Sequence, residues 1–277
     1  MTSSGPPMHE RNTSFTWADH AGPFRVVSAA QARQYDEQGF FVLDGALDPA
    51  AVAALTRAID PFERHQEEAL RATEGGRFFI ARAGEITFTT HLVRHSPLLR
   101  QFTASPLLTD VCADLIGPDV RLYWDQAVYK KPGTTSPFPW HQDNGYAFVE
   151  PQQYLTFWVA LTDATEDNGC PWVVPGLHRL GTLAHAYSDI GFVCLRDPAA
   201  ALPVPVSAGS IVVFSSLTPH STGPNRTAGV RKAYIVQYAP AGAEVVRTGP
   251  DGAATRTAAA DESRQYEVLR DGVRVTS

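Results

Sequence analysis

The pattern of hydrophobic and polar positions divides the chain into two parts of different character. Up to about residue 117, a capping residue repeatedly precedes an apolar or amphipathic segment, which predicts helices. These helix starts are Ser28, Asp48, Ser96 and Ser105. One short apolar run, 40–43, interrupts the helical pattern and predicts a buried strand. We therefore expect a mostly helical segment over 28–117.

After Gly117 the helical spacing is replaced by short runs rich in valine, isoleucine and aromatic residues. These runs are 121–130, 154–162, 170–174, 211–216 and 231–239, and clusters of proline, glycine and asparagine separate them. Strands and helices do not alternate regularly, so a doubly wound parallel sheet is not expected. We predict a mainly β fold with flanking α-helices, in which an antiparallel sandwich or barrel occupies about 120–240.

The two ends of the chain differ from this central region. Residues 1–24 are polar and are expected to form a flexible tail before a single domain at 25–277. No internal repeat or linker divides that domain. The stretch 247–263 has few large apolar residues and is predicted to be a surface loop. Further on, the dipeptide Asp271-Gly272 predicts a hairpin turn.

Composition excludes several classes of protein. Hydrophobic residues make up 44% of the 277 residues and charged residues 19%, as in globular proteins. The net charge of -6 argues against a nucleic-acid partner. No apolar run approaches the roughly 20 residues of a membrane helix, and no secretory signal is visible. The 3 cysteines form no CxxC motif, so we expect reduced thiols and a cytoplasmic protein.

The motif with the clearest chemistry is His141-Gln142-Asp143. On an extended strand, residues i and i+2 point to the same face, so His141 and Asp143 would offer two ligand atoms to one point. Two histidines and one carboxylate on one face of a metal form the ligand set of non-haem Fe(II) oxygenases. The candidate for the third ligand is His220, which follows a buried strand and a proline turn.

Arg231 is the second unusual residue, because it opens the apolar strand that follows His220. An arginine that enters such a strand needs an anionic partner, and its planar guanidinium suits a carboxylate. That partner is either an acidic residue of the chain or the carboxylate of a ligand. The residues alone leave both interpretations open.

Taken together, these stretches resemble the phytanoyl-CoA dioxygenase family of Fe(II)- and 2-oxoglutarate-dependent oxygenases. The matching stretches follow the family's order over about 120–240. They are 124–126, 130–133, 139–143, 157–162, 168–170, 174–178 and 220–225, followed by Arg231. One departure is Leu177, where the family commonly has a serine before the histidine. It lies away from the metal motif.

The resemblance implies a double-stranded β-helix, the cupin-like jelly roll, with flanking helices. It implies that His141, Asp143 and His220 bind iron. The implied cofactor is Fe(II), with 2-oxoglutarate and O₂ as cosubstrates. Family members that halogenate lack the carboxylate at the position of Asp143, so its presence here favours hydroxylation.

The resemblance also implies residues for the cosubstrate. Arg231 matches the arginine that holds the distal carboxylate of 2-oxoglutarate, and Thr222 matches the hydroxyl that assists it. Gln126 and Trp158 lie on strands whose family counterparts line the cosubstrate pocket, although Trp158 would also suit the core. Candidate substrate-wall residues are Phe138, Asn144, Tyr146, Phe148 and 78–80.

The expected activity is therefore hydroxylation of an unactivated C–H bond, with release of succinate and CO₂. The expected substrate is a small metabolite or natural-product intermediate, and the expected assembly is a monomer or weak homo-oligomer. Desaturation, epoxidation and cyclisation remain open outcomes. A zinc-dependent hydrolase on a cupin-like fold, which would leave Arg231 unexplained, and a non-catalytic cupin-like binding protein are the alternatives from other classes.

Overall fold

The structure is a computed structural model that describes residues 5–249 and 253–275. Its α-helices are α1 (Ala29–Gln38), α2 (Pro49–Ala72), α3 (Pro97–Thr103) and α4 (Pro106–Leu115). Its strands are β1 (Phe40–Leu43), β2 (Arg77–Phe78), β3 (Ala81–Arg82), β4 (Ile86–Thr90), β5 (Val120–Lys130), β6 (Phe138–His141), β7 (Phe148–Glu150), β8 (Leu155–Ala160), β9 (Pro171–Val173), β10 (Ala186–Ser188), β11 (Gly191–Val193), β12 (Leu202–Pro203), β13 (Ile211–Ser215), β14 (His220–Thr222), β15 (Arg231–Pro240), β16 (Glu244–Thr248), β17 (Ala254–Ala258), β18 (Glu267–Arg270) and β19 (Val273–Arg274).

Two antiparallel sheets form a jelly roll, which confirms the predicted mainly β fold with flanking α-helices. The larger sheet has the order β1-β13-β8-β15-β5-β4-β3-β2, and β18 and β19 extend it from β5. The smaller sheet has the order β12-β9-β14-β6. A three-stranded sheet, β17-β16-β7, and the hairpin β10-β11 complete the strand pairing of the described residues.

The helices begin where the sequence signals predict. The Ser28 side chain accepts a hydrogen bond from the backbone N–H of Gln31, and the Gln31 side chain accepts one from the Ser28 backbone, which completes a capping box. Gly39 ends α1 with a φ of 86°. A Cβ atom at Gly39 would lie 2.4 Å from Thr218 Oγ1, so both the backbone conformation and the packing require glycine.

The larger sheet separates two hydrophobic clusters because strand side chains alternate between its faces. Phe157 on β8 belongs to the cluster that includes Leu55 and Ile59 of α2. Its neighbour Trp158 belongs to the cluster inside the jelly roll. The helices therefore cover the outer face of the sheet, and the inner face is left to form the site.

Two segments differ from the sequence expectations. Residues 77–90, within the segment expected to be mostly helical, contain β2, β3 and β4, and β4 pairs with β5. The predicted surface loop 247–263 contains the end of β16 and all of β17, while its residues 250–252 lie outside the described part. All five side chains of β17 are exposed. Backbone pairing rather than apolar burial therefore forms this strand, and hydrophobic patterning does not detect it.

The N-terminal segment also packs more closely than expected. The side chain of Trp17 is buried, and its Nε1 donates to Asp36 Oδ1 at 3.1 Å. His20 Nδ1 lies 2.6 Å from the same carboxylate oxygen. A flexible tail is therefore the wrong description of these two residues, because they contact α1. The division of the chain into a tail and a single domain stays a prediction.

The dipeptide Asp271-Gly272 forms the predicted turn between β18 and β19. Its φ angles are 50° at Asp271 and 74° at Gly272. Positive φ at both central residues is typical of the tight turns that match the twist of a hairpin. This prediction is confirmed.

Candidate active site

The three predicted metal ligands meet at one edge of the smaller sheet. His141 ends β6, and His220 begins β14 directly opposite it. Asp143 begins a one-turn 3-10 helix at Asp143–Gly145. The ligand atoms of these three residues all lie within 4.8 Å of one another. One ion placed between them would be within reach of all three.

The backbone that joins His141 to Asp143 is extended, as the sequence argument assumed. β6 ends at His141, but Gln142 keeps a φ of -109° and a ψ of 145°. His141 and Asp143 therefore point to the same side of the chain, although Asp143 lies outside the strand. The pairing of β6 with β14 then supplies His220, which is far away in sequence.

Both histidines are held with their Nε2 atoms free. His141 Nδ1 lies 2.8 Å from the carbonyl oxygen of Pro139, and His220 Nδ1 lies 2.9 Å from that of Thr218. A carbonyl only accepts, so each Nδ1 carries the proton and each Nε2 keeps a lone pair. Burial, followed by the influence of His220, holds the pKa of His141 well below its usual value. His141 is therefore a neutral ligand at pH 7.

The carboxylate of Asp143 is held by a residue that the sequence analysis did not identify. The hydroxyl of Thr156, on β8, donates to Asp143 Oδ2. The other carboxylate oxygen, Oδ1, lies 3.7 Å from His220 Nε2. Thr156 therefore fixes the rotation of the carboxylate and leaves one oxygen directed toward the histidines.

Two buried amides secure the turn that carries Asp143. The Gln142 side chain donates to the carbonyl oxygen of Gly181 at 3.0 Å and accepts from the backbone N–H of Leu183 at 2.6 Å. Asn144 Oδ1 accepts from the backbone N–H of Val149 at 2.9 Å. Asn144 is fully buried, so it supports the turn and the expectation that it forms the substrate wall is wrong.

Arg231 is the first residue of β15 and is almost completely excluded from solvent. Its Nε and Nη2 atoms have no hydrogen-bond partner, and Nη1 reaches only the carbonyl oxygen of Val128, at 3.4 Å. Burial lowers the pKa of the guanidinium to about 10, so it remains charged at pH 7. Within residues 5–249 and 253–275 no acidic side chain pairs with it. This favours the carboxylate of a ligand over an internal salt bridge as its partner.

Lys130 is a second basic residue that the sequence analysis did not assign to the site. It lies directly opposite Arg231 in the pairing of β5 with β15. Its Nζ donates to Thr222 Oγ1 at 3.0 Å and to the carbonyl oxygen of Thr222 at 3.2 Å. Because the hydroxyl oxygen of Thr222 accepts from Lys130, its proton is free for another acceptor. The sequence signal that could have identified Lys130 is strand alternation. Lys130 lies four residues after Gln126 on β5, so both side chains point to the same face.

Two further residues expected at the cosubstrate pocket, Trp158 and Gln126, lie on the inner face of the larger sheet. The ring of Trp158 lies 5.3 Å from Arg231 Cζ, which is within cation–π distance. Gln126 lines the main cavity. These positions agree with the expected cosubstrate pocket, and the roles of both residues stay predictions.

A cavity of about 640 Å³ opens beside His141 and Asp143. Aromatic side chains form much of its wall: Phe78, Phe79, Phe88, Tyr123, Trp124, Phe138, Tyr146, Tyr154 and Phe192. The expected wall residues Phe138, Tyr146 and 78–80 are therefore placed on the cavity. Phe148 is not among the lining residues, and it stacks on His9 with ring centroids 4.7 Å apart.

The residues present fit Fe(II) and 2-oxoglutarate. Two imidazoles and one carboxylate are the facial ligand set of non-haem iron. The buried Arg231 has two unpaired guanidinium nitrogens that a carboxylate would satisfy. A metal would thus bind the three convergent ligand atoms of the triad. A carboxylate would accept hydrogen bonds from the unpaired nitrogens of Arg231.

Comparison with known proteins identifies relatives over most of the chain. The family model for phytanoyl-CoA dioxygenase (PhyH) matches residues 35–233. Phytanoyl-CoA dioxygenase domain-containing protein 1 of Bos taurus is 24% identical, over 75% of this chain and 88% of its own length. Ectoine dioxygenase of Bordetella bronchiseptica is 28% identical, over 77% of this chain and 75% of its own. SnoK, a non-heme alpha ketoglutarate dependent carbocyclase from nogalamycin biosynthesis, has a similar structure, with a TM-score of 0.61 and 26% identity over 81% of this chain and 90% of its own.

Proposed function

The chain belongs to the phytanoyl-CoA dioxygenase family of Fe(II)- and 2-oxoglutarate-dependent oxygenases, and we propose that it hydroxylates an unactivated C–H bond of a small metabolite or natural-product intermediate. The observation that carries this proposal is the meeting of a His/Asp/His cluster with a buried arginine whose Nε and Nη2 are unpaired. The products would be the hydroxylated substrate, succinate and CO₂.

We assign the iron to His141, Asp143 and His220. Each histidine presents Nε2 because its Nδ1–H donates to a carbonyl. Asp143 presents one carboxylate oxygen because Thr156 holds the other. These contacts set the three donors before the metal arrives, so little side-chain entropy is lost when it binds.

We assign the distal carboxylate of 2-oxoglutarate to Arg231 and Thr222. The guanidinium offers two buried N–H groups, and the Thr222 hydroxyl offers its proton because Lys130 occupies its oxygen. Trp158 packs beside the guanidinium and limits its movement. These residues would hold the distal carboxylate and so orient the cosubstrate.

When bound, Fe(II) and 2-oxoglutarate supply the oxidising chemistry that activates O₂. The chain itself positions the substrate and keeps water away from the reacting carbon. The ring of Tyr146 lies 5.3 Å from that of His141, with the planes at 87°. Tyr146 and Phe138, whose ring lies 4.9 Å from His141, would therefore form the wall nearest to the target bond.

Hydroxylation is favoured over halogenation by Asp143. His141, Asp143 and His220 would hold the metal, and the carboxylate of Asp143 would occupy the place that a halide needs. Desaturation, epoxidation and cyclisation share this ligand arrangement, and they would differ only in how the substrate is oriented.

The test is an anaerobic titration of the Fe(II)-loaded protein with 2-oxoglutarate. Formation of the complex is expected to produce a weak visible charge-transfer band, and Arg231→Leu is expected to shift its appearance to higher 2-oxoglutarate concentration. A zinc hydrolase or a non-catalytic binding protein would give no such band. Absence of the band in protein that has bound iron would overturn the proposed function.

The remaining expectations concern partners and location. We propose a small-molecule substrate, no nucleic-acid or membrane partner, and a monomer or weak homo-oligomer in the cytoplasm. The net charge of -6 argues against a nucleic-acid partner. Among the described residues, no helix has the length and apolar character needed to cross a membrane.

A further inference from the structure

The end of the cavity away from Arg231 carries two further arginines. Lys130 and Tyr123 lie near opposite ends of β5, and seven residues of strand span about 23 Å. The cosubstrate cations are at the Lys130 end. At the Tyr123 end, Arg247 and Arg264 both line the cavity.

A β-bulge brings Tyr123 and Trp124 to the same cavity. Gln237 of β15 pairs with Trp124, and the next residue, Tyr238, pairs with Leu122. Tyr123 therefore has no residue opposite it, and the alternation of faces is interrupted. Both aromatic rings line the cavity as a result, as do His141, Asp143, Arg247 and Arg264.

Arg264 is held in a fixed orientation by two side chains. Its Nε donates to Asp261 Oδ2 at 2.9 Å, and its Nη1 lies 3.4 Å from His91 Nε2. Burial lowers the pKa of His91 to about 4, and the neighbouring Arg264 acts in the same direction. His91 is neutral at pH 7 and accepts the bond. Within the described part of the chain, Nη2 of Arg264 makes no hydrogen bond.

Arg247 lies on the cavity side of β16. It is two residues from Val245 on the strand, so both side chains point to the same face, and both line the cavity. Arg247 is exposed, and no acidic residue within 5–249 and 253–275 forms an ion pair with it. Its guanidinium is thus available to a ligand.

The lining of the cavity is basic at this end. Asp143 is the acidic residue among the described lining residues, and it belongs to the metal cluster. Asp261 forms an ion pair with Arg264 at 2.9 Å from outside the lining, so it offsets part of the Arg264 charge. Burial raises the pKa of Tyr123 to about 12, with smaller opposing influences of Arg264 and Arg247 and a raising influence of Asp143. Tyr123 therefore lies within electrostatic reach of both the metal cluster and the two arginines.

We propose that Arg247 and Arg264 form an oxyanion subsite for the substrate. The substrate class that fits is a small molecule with an apolar, ring-containing body and one carboxylate or phosphate group. The oxyanion binds the two guanidinium groups, and the body lies along the aromatic wall with its target carbon toward His141. This deepens the proposed function and rests on it, since both concern the same cavity.

The subsite explains how an otherwise aromatic cavity would orient its substrate. Planar guanidinium groups bind oxyanions in paired N–H···O contacts, which fix direction as well as position. Trp124 supports this arrangement because its ring lies 4.3 Å from the ring of His91, the residue that holds Arg264. The oxyanion and the ring face of a substrate would therefore be recognised by adjoining side chains.

The test uses two fluorescent probes that differ in their anionic group. 8-Anilinonaphthalene-1-sulfonate has an aromatic body and one oxyanion, and N-phenyl-1-naphthylamine has the same body without it. Protein loaded with Zn(II) and 2-oxoglutarate is titrated with each, so that the triad and Arg231 are occupied. We expect Arg247→Gln and Arg264→Gln each to weaken sulfonate binding about tenfold and to leave amine binding unchanged.

Two further variants guard against misfolding and surface effects. Arg264→Lys keeps the charge without the planar fork and is expected to bind the sulfonate with intermediate affinity. Arg256→Gln removes an exposed arginine that pairs with Glu150 and Glu244 and should leave both affinities unchanged. Among residues 5–249 and 253–275, no hydrogen bond or ion pair of the Arg247 side chain would be broken by its replacement.

The identity of the oxyanion follows from displacement of the bound sulfonate. 2-Naphthoate outcompeting 2-naphthamide would support a carboxylate substrate, and 2-naphthyl phosphate outcompeting both would support a phosphate ester. Equal displacement by the amide and the anions would overturn the subsite, as would unchanged sulfonate binding in Arg247→Gln and Arg264→Gln. A missing charge-transfer band with intact sulfonate discrimination would instead overturn the proposed function alone.

Discussion

Lys130 and Arg231 lie directly opposite each other on β5 and β15, with side chains 0% and 1% exposed. Two adjacent buried cations repel each other and lose their hydration, which is costly unless an anion joins them. Accordingly, burial and the nearby Arg231 hold the pKa of Lys130 well below its usual value. Lys130 Nζ already donates to Thr222 Oγ1 and to the carbonyl oxygens of Thr222 and Gly223. Arg231, with two unpaired nitrogens, is therefore the member of the pair that can bind a carboxylate directly.

Replacing Arg231 should impair the binding of 2-oxoglutarate more than the binding of iron. Loss of one partner of a desolvated charge pair costs about 3–5 kcal/mol, so Arg231→Leu should raise KM for 2-oxoglutarate strongly. Thr222→Ala removes one hydroxyl donor to a charged acceptor, with a ceiling of about 1.5–3 kcal/mol. Succinate assays at varied 2-oxoglutarate measure both. A larger effect of Thr222→Ala would show that the carboxylate is bound elsewhere.

Lys130 should act through Thr222 as a positioning residue. Lys130→Met removes the donor that occupies Thr222 Oγ1, so the hydroxyl loses its fixed orientation. We expect KM for 2-oxoglutarate to rise while Fe(II) affinity stays close to that of the wild type. Lys232→Met is the matched control, because Lys232 is on the same strand as Arg231 and pairs with Asp60. Equal KM changes in both variants would indicate a general loss of strand stability.

The metal cluster predicts a common effect of three substitutions. His141→Ala, Asp143→Ala and His220→Ala each remove one of the three convergent donors and should each strongly reduce Fe(II) binding and succinate formation. Anaerobic equilibrium dialysis measures the bound iron. His65→Ala, which changes an exposed histidine of α2, is the control. Near wild-type iron binding in any of the three variants would remove that residue from the ligand set.

Thr156 should contribute through the orientation of Asp143. Thr156→Val keeps the size of the side chain and removes the hydroxyl that donates to Asp143 Oδ2. Loss of such a supporting hydrogen bond commonly weakens metal binding about 10–100-fold. Thr156→Ser should restore most of the Fe(II) affinity. If serine and valine variants bound iron equally, the contribution of Thr156 would be packing alone.

Asp125 should make stability depend on pH. Burial raises its pKa to about 6, above the model-compound value of 3.8, although Tyr234 and backbone donors act in the opposite direction. Its folded form thus favours the proton, so its stabilising contribution is complete below about pH 4 and is lost as pH rises through 6. The difference is on the order of 3 kcal/mol.

The variant Asp125→Asn tests this dependence. An amide oxygen can still accept from Tyr234, whose hydroxyl lies 2.9 Å from Asp125 Oδ2, and the buried Oδ1 has no partner to lose. Thermal unfolding should show a higher Tm for Asp125→Asn than for the wild type at pH 8, and a smaller difference at pH 4.5. A constant Tm difference at both pH values would contradict the raised pKa.

Several local features were determined by the sequence itself. The capping residues Ser28 and Asp48 fixed the helix starts, because the hydrogen bonds of a cap join residues three apart. The apolar runs that became β5, β8, β13 and β15 were recognisable because their burial requires consecutive large side chains. His141, Asp143, His220 and Arg231 were recognisable because those residue types have costly or specific chemistry inside strands.

Other features were decided only by the tertiary structure. β17 depends on backbone pairing with β16, which leaves no hydrophobic pattern. The contact of Thr156 with Asp143, the register of Lys130 against Arg231 and the approach of Arg264 to the cavity join strands and loops far apart in sequence. The contact of Thr156 with Asp143 and the pairing of Lys130 with Arg231 depend on strand register, because a shift of one residue would reverse the faces of the side chains. The bulge at Tyr123 adds that ring to the cavity that Arg264 also lines. The sequence thus supplies the reactive groups, and the sheet geometry decides which of them meet.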